Sequence, residues 1–297
     1  MTKRTVANNF LYYIFCGFSG AVTSLIVWLF LKLMGLGIGL VWDTIPSNFD
    51  FKFYPIIVCT AGGIILGIWQ KLTNAVPDEL DDVMKKVKKD KFYPYNKVLL
   101  LCISALLPLV FGGSLGPEAG LTGVIVGLCY WAGSHMKDAK SKIPELMQIG
   151  ISATLSAVFY APLFGLASVN EERLDSEEKP TDIRSTKLIS NIIAVLFAAE
   201  TLFLLNSVFG GSMGLPRLGG YNITNFERLW GIPLALLGAV CGFLFIISSK
   251  IFGKFFALIQ GKLGIIISTT LGGIILGVMG TYPVSYTHLT LPTNSRV

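Results

Sequence analysis

Gly112-Gly113-Ser114-Leu115-Gly116-Pro117-Glu118-Ala119-Gly120 is the stretch on which the fold turns. It interrupts an otherwise continuous apolar sequence, Val98–Ser134, that is too long for one membrane crossing and is broken in its middle. Ser114 fits an N-cap, Pro117 suits a first helical turn because it has no amide hydrogen to lose, and Glu118 faces the positive end of the helix dipole. A helix therefore starts inside the apolar run. Its backbone N–H groups, left uncovered by the glycines, point into a low-dielectric interior and attract an anion. The same spacing also fits a sharp loop between two ordinary helices with Glu118 as a plain cap, and the residues alone leave both readings open.

Working outward, eight apolar stretches appear: Phe10–Leu31, Phe53–Gln70, Val98–Pro117, Ala119–Ser134, Ile149–Asn170, Leu188–Leu215, Leu229–Ser249 and Leu263–Pro283. Of the 297 residues, 53% are hydrophobic and 14% charged, against roughly 25% charged in soluble domains. The mean hydropathy is +0.65. Most stretches reach the ~20 residues that carry a helix across a bilayer, and a helix satisfies its own backbone hydrogen bonds in lipid. The fold class predicted is all-α, a polytopic membrane protein. Phe10–Leu31 is too long for a cleaved leader and reads as the first spanning helix.

The formal net charge of +6 does not signal nucleic acid. Lysines gather between spans instead of on one globular face. Lys71, Lys85, Lys86, Lys88, Lys89, Lys91 and Lys97 lie between the second and third stretches, whereas the Gly35–Lys52 loop has Lys52 alone. That asymmetry places the lysine-rich segment in the cytoplasm. Cys16, Cys59, Cys102, Cys129 and Cys241 lie singly in apolar stretches, without metal-ligand spacing, and read as core filler. Gly116, Gly120, Gly123 and Gly127, and again Gly273, Gly277 and Gly280, form smooth faces for close helix packing. The tryptophans mostly lie near span ends, as interfacial anchors do, and His135 reads as a helix-terminal interfacial residue. With no metal cluster, nucleophile-base pair or phosphate loop, neither an enzyme nor a cofactor is expected.

A second break, Phe159-Tyr160-Ala161-Pro162-Leu163-Phe164-Gly165, interrupts Ile149–Asn170, and Glu171-Glu172 closes it. Paired acids at a helix end mark a membrane boundary, or else a vestibule that handles protons or attracts cations. Glu200 stands mid-span in Ala198-Ala199-Glu200-Thr201-Leu202, where a charge costs at least ~2.5 kcal/mol. It is read either as a proton-handling acid or as a carboxyl hydrogen-bonded between helices, with Asn191 or Asn206 as neighbours. Beyond Gly280 the pattern collapses into the Thr-rich run Val284-Ser285-Tyr286-Thr287-His288-Leu289-Thr290-Leu291-Pro292-Thr293. It reads as the translation of a sequencing-library adapter, so that residues 1–283 form a truncated transmembrane domain and 284–297 a non-native tail.

These residues resemble the CLC family of chloride channels and chloride/proton exchangers. Gly113-Ser114-Leu115-Gly116-Pro117 stands where the family has G-[KR]-E-G-P, its anion-binding motif. Ala157-Val158-Phe159-Tyr160-Ala161-Pro162-Leu163-Phe164-Gly165, followed by Glu171-Glu172, is similar to A-A-F-N-A-P-L-A-G…E-E. Thr73-Asn74-Ala75-Val76-Pro77 lies at the position of G-S-G-I-P. The resemblance spans roughly residues 8–281, and its Ser-Leu-Gly-Pro-Glu wording is similar to a divergent bacterial branch.

The resemblance implies broken helices in an inverted repeat, of which this chain would hold the first half and the start of the second. It also implies a homodimer in lipid, in the inner membrane of a bacterium, with chloride or a similar anion as solute. The anion-binding residues it implies are Asn74, Gly113, Ser114, Leu115, Gly116 and Pro117. The family's gating glutamate corresponds to Leu115, which can neither compete with chloride nor carry a proton. Its chloride-coordinating serine corresponds to Asn74, whose amide N–H₂ can still donate to an anion. Glu172 aligns with the exchangers' internal proton glutamate. The expected function is therefore passive or uncoupled anion conduction. The alternatives are proton-coupled exchange through Glu118, Glu172 or Glu200, and a scaffold that moves no solute.

Overall fold

No proline precedes Pro46 in the first apolar run, so nothing stops the helix where hydropathy fades. In the computed structural model α1 spans Lys3–Ile38 and continues as π-helical turns through Gly39–Thr44. The segment expected as a loop at Gly35–Lys52 is therefore mostly helix. Leu36, Ile38, Leu40 and Val41 extend the apolar surface, and the Ile45 N–H closes the last wide turn on the Leu40 carbonyl at 3.1 Å. The structure describes residues 3–48, 51–78, 82–83, 86, 96–113, 116–135, 143–167, 183–210 and 225–281. The expected tail, 284–297, lies outside them.

The remaining elements are α2 (Tyr54–Thr73), α3 (Val98–Val110), α4 (Pro117–His135), α5 (Ile143–Val158), a short helix over 162–167, α6 (Ile183–Phe209), α7 (Asn225–Leu263) and α8 (Ile265–Thr281). Among the described residues there is no strand. Among the described residues four stretches are long and apolar enough to cross a membrane: Tyr12–Thr44, Tyr54–Thr73, Leu188–Phe209 and Leu229–Gly261. The protein is an all-α polytopic membrane protein. At 13 residues, α3 covers only about 20 Å, less than the ~30 Å hydrocarbon core. The break expected after it is real. Gly264, at φ +87°, turns α7 directly into α8, a backbone conformation that costs glycine nothing.

Packing sets the directions. Trp28 reaches Asn206 and Lys32 reaches Gly210 across the same separation of 178 residues, so α1 and α6 run parallel. Gly20 brings α1 onto the Ala194 backbone of α6, where a β-carbon would collide. Tyr12 donates to Glu145 of α5 at 3.0 Å, and Cys16 packs with Leu146 and Ile149. Val27, Phe30, Leu109, Leu121, Ala157 and Leu202 close one core among α1, α3, α4, α5 and α6. Ile125, Met147, Ile151 and Leu155 close a second between α4 and α5.

The α2–α8 pair is built from a repeated hexapeptide. Gly-Gly-Ile-Ile-Leu-Gly occurs at 62–67 and again at 272–277. The two copies pack antiparallel. Gly63 lies on the Thr269 carbonyl, Gly273 on that of Cys59, and Gly277 on Ile56. Backbones this close gain van der Waals contact in a solvent that supplies no hydrophobic drive. The small-residue face expected at Gly273 and Gly277 is thus a helix seam, and Gly280 meets Pro55 only at an ordinary 3.9 Å. On α4, Gly120 accommodates Ala105 of α3.

Candidate functional site

The break after α3 is shaped by a helix cap that needs glycine. Pro108 lacks an N–H, so the last turn of α3 misses one rung of its ladder. The chain closes with Phe111 N–H on Leu107 O at 3.1 Å and Gly113 N–H on Pro108 O at 2.6 Å, around Gly112 at φ +88°. This is the six-to-one hydrogen bond of a Schellman cap. From the side, Trp42 donates its indole N–H to the Val110 carbonyl at 2.9 Å. A β-carbon on Gly112 would stand 2.9 Å from the Trp42 ring. Tyr54 fixes that indole, meeting it edge-on at 6.2 Å while its hydroxyl donates to Val41 O at 2.5 Å.

Ser114 and Leu115 lie outside the described residues. The chain resumes at Gly116, and α4 starts at Pro117 as its chemistry predicts. Glu118 occupies the first turn. Its carboxylate folds back onto Gly116, leaving no room there for a side chain. A negative group thus sits where the free N–H groups and the positive dipole end of α4 would receive an anion.

Asn74 caps α2 in the left-handed region, at φ 50°, with its N–H on Gln70 O at 2.9 Å. The side chain is exposed, while Ala75 beside it is buried. The Ala75 carbonyl accepts from Ser104 Oγ of α3 at 2.7 Å, and Ser104 Oγ accepts from the Trp69 indole at 2.8 Å. Asn74 therefore lies beside the middle of α3. Gly113 stands nine residues beyond Ser104, roughly 13 Å of helical rise. Asn74 and Gly113 thus adjoin the same helix, one beside its middle and one at its end.

The second break repeats the first without glycine. α5 ends with Ala161 N–H on Ser156 O at 3.1 Å around Tyr160, whose φ of 51° is rare for a side-chain-bearing residue. Such a conformation costs about 1 kcal/mol or more and needs outside support. Asn206 supplies it, donating from Nδ2 to the Tyr160 hydroxyl at 2.5 Å while accepting from the Trp28 indole at 3.2 Å. The helix over 162–167 then folds back, with Gly165 against Ser152 O and Ser156. Glu171 and Glu172 lie outside the described residues.

Glu200 is not held between helices. Ala194, Ala198 and Leu202 turn inward on α6, which leaves Glu200 on the outer surface among the exposed Leu196, Phe197, Phe203 and Leu204. Neither expected neighbour serves it: Asn206 is engaged with Trp28 and Tyr160, and Asn191 is buried with its carbonyl oxygen unpaired. The sequence reading missed Glu145, in the first turn of α5. Its signal was Ile143-Pro144-Glu145, a proline followed by an acid at a helix start. It also assigned the tryptophans to the interface, whereas Trp28, Trp42 and Trp69 each spend their N–H inside the fold. Trp131 and Trp230, near helix ends, are about half exposed and fit the anchoring expectation.

Among the described residues no group of His, Cys, Asp and Glu is placed to hold a metal ion. A groove between α1 and α4 is lined by Phe15, Phe18, Val22, Ile125, Leu128 and Ala132, a surface suited to hydrocarbon and not to an ion. Among the described residues, the breaks offer glycine-opened backbone and one folded carboxylate.

Residues 61–293 match the family described as voltage gated chloride channel. The voltage-gated ClC-type chloride channel ClcB of Escherichia coli O9:H4 (strain HS) is 22% identical over 232 residues, covering 77% of this chain and 52% of its own. ClcB of Shigella boydii serotype 18 shows the same 22% over 232 residues, with 77% and 52% coverage. YfeO of Escherichia coli O17:K52:H18, whose name assigns it to ion transport only provisionally, is 23% identical over 270 residues, covering 88% of this chain and 60% of its own. The chain spans about half the length of the curated relatives it matches, 52% and 60%. Because the family match takes in both helix breaks and the Asn74 segment, over residues 61–293, this chain belongs to the voltage-gated chloride channel family.

Proposed function

We propose that this protein conducts chloride or a similar small anion passively, without coupling it to protons. The observation that carries the reading is Leu115, an apolar residue at the position the family resemblance gives to the gating acid, between the cap of α3 and the start of α4. A leucine cannot bind a proton or mimic a chloride ion, so the step that links the two fluxes has no residue to perform it. The anion path is proposed to use Asn74 and the Gly113, Ser114, Leu115, Gly116 and Pro117 backbone. Residues 1–283 are proposed as part of a longer transmembrane domain that pairs with a second copy in the inner membrane of a bacterium, and the 284–297 tail takes no part. The repeated Gly-Gly-Ile-Ile-Leu-Gly, packed antiparallel on itself, supports the inverted-repeat architecture behind this reading.

A second reading, proton-coupled exchange, is favoured by one feature. The Glu118 carboxylate already lies on Gly116 at the N-terminus of α4, near where a gating carboxylate would act. Parallel recording of chloride efflux and external pH from liposomes holding the full-length gene product separates the two. Chloride efflux with no proton flux supports passive conduction; proton flux at a fixed ratio to chloride would select proton-coupled exchange, with Glu118, Glu172 and Glu200 as the acids to substitute.

A further inference from the structure

Three indole N–H groups reach three separate irregular segments of this chain. Trp42 donates to Val110 O, the orphan carbonyl at the end of α3, three residues before Gly113. Trp69 donates to Ser104 Oγ, which passes the bond to the carbonyl of Ala75, next to Asn74. Trp28 donates to Asn206, which holds the hydroxyl of the strained Tyr160. Each segment leaves the helical ladder next to apolar helices, and wherever such a segment lies in hydrocarbon an unpaired backbone group costs several kcal/mol. An indole is suited to this task because its ring is apolar while its single N–H is directional.

We propose that Trp42, Trp69 and Trp28 are positioning residues for the anion path, each fixing one of these three segments so that its backbone groups keep the spacing an anion requires. This inference rests on the anion-conduction reading. Trp42 has the greatest leverage, because Pro108 weakens the last turn of α3 and the ring of Trp42 also walls the Gly112 position. A net hydrogen bond contributes about 0.5–1.5 kcal/mol, so losing one corresponds to a shift of about two- to thirteenfold.

The test uses the full-length gene product in liposomes and reads the nitrate-to-chloride permeability ratio alongside total flux. Trp42→Phe keeps the ring and removes the N–H, and replacement of Trp42 by benzothienylalanine, with sulfur in place of N–H, keeps the shape as well. Trp131→Phe serves as the control, since that indole is half exposed at the end of α4. The expected result is a ratio shifted about twofold or more by either Trp42 replacement, a smaller shift in the same assay for Trp69→Phe and Trp28→Phe, and none for Trp131→Phe. A parent protein that conducts, with Trp42 replacements that leave the ratio at the control value, overturns the positioning role alone. A parent that moves no anion overturns the conduction reading and the inference with it.

Discussion

The carboxylate of Glu118 rests on Gly116, in space that any side chain at 116 would claim. The contact places a carboxyl group at the N-terminal end of α4, where it competes with a mobile anion for the same N–H groups. Glu118→Gln should therefore admit anions more readily. Charge at a helix N-terminus contributes about 0.3–1 kcal/mol, so chloride flux at neutral pH is expected to rise about two- to fivefold, still without proton movement. Initial efflux rates with a chloride electrode measure this.

Leu115→Glu should install a block that acid relieves. An unperturbed glutamate titrates near ~4.3, so at neutral pH the new carboxylate is charged and competes for the anion site. As pH falls through that range the group is neutralised and leaves. Flux through the variant is expected to increase as pH drops from about 7 to 4, and more steeply than flux through the parent over the same window. A pH series of efflux rates on both proteins checks it.

The α2–α8 seam makes a prediction about stability with an internal control. Gly273 lies on the Cys59 carbonyl, whereas a β-carbon on its neighbour Gly272 would come no nearer than 3.9 Å to Phe256. Gly273→Ala forces two backbones apart, an overpacking worth about 1–3 kcal/mol. Gly272→Ala should be neutral or slightly stabilising. Thermal unfolding of both variants in one detergent should show a clear loss only for Gly273→Ala.

Glu200 is exposed, among large apolar side chains on the same face of α6. Glu200→Gln is accordingly expected to leave chloride flux and its pH profile unchanged. Flux measured from pH 5 to 8 decides it, and a changed profile would bring Glu200 back as a proton-handling residue.

Both breaks were legible before any coordinates, because proline and glycine interrupt apolar sequence at Gly112–Pro117 and again at Tyr160–Gly165. The starting residue of α4 followed from Pro117 alone. The end of α1 did not, since hydropathy fades at Leu31 with no residue that terminates a helix until Pro46. The tryptophan partners were beyond reach for a different reason. Trp42 and Val110 are 68 residues apart, and Trp28 and Asn206 178, so only tertiary packing pairs them. Which way Glu200 faces depends on which side of α6 meets Gly17 and Gly20, a choice that a helix apolar on nearly all sides does not announce. The duplicated Gly-Gly-Ile-Ile-Leu-Gly was present in the sequence all along, and its importance lay in the two copies touching.

The most direct test of uncoupled conduction is to impose a chloride gradient on liposomes with equal pH on both sides and record internal pH. The account predicts chloride movement limited by the membrane potential and released by a potassium ionophore, with internal pH unchanged. Protons driven uphill by the chloride gradient would contradict it.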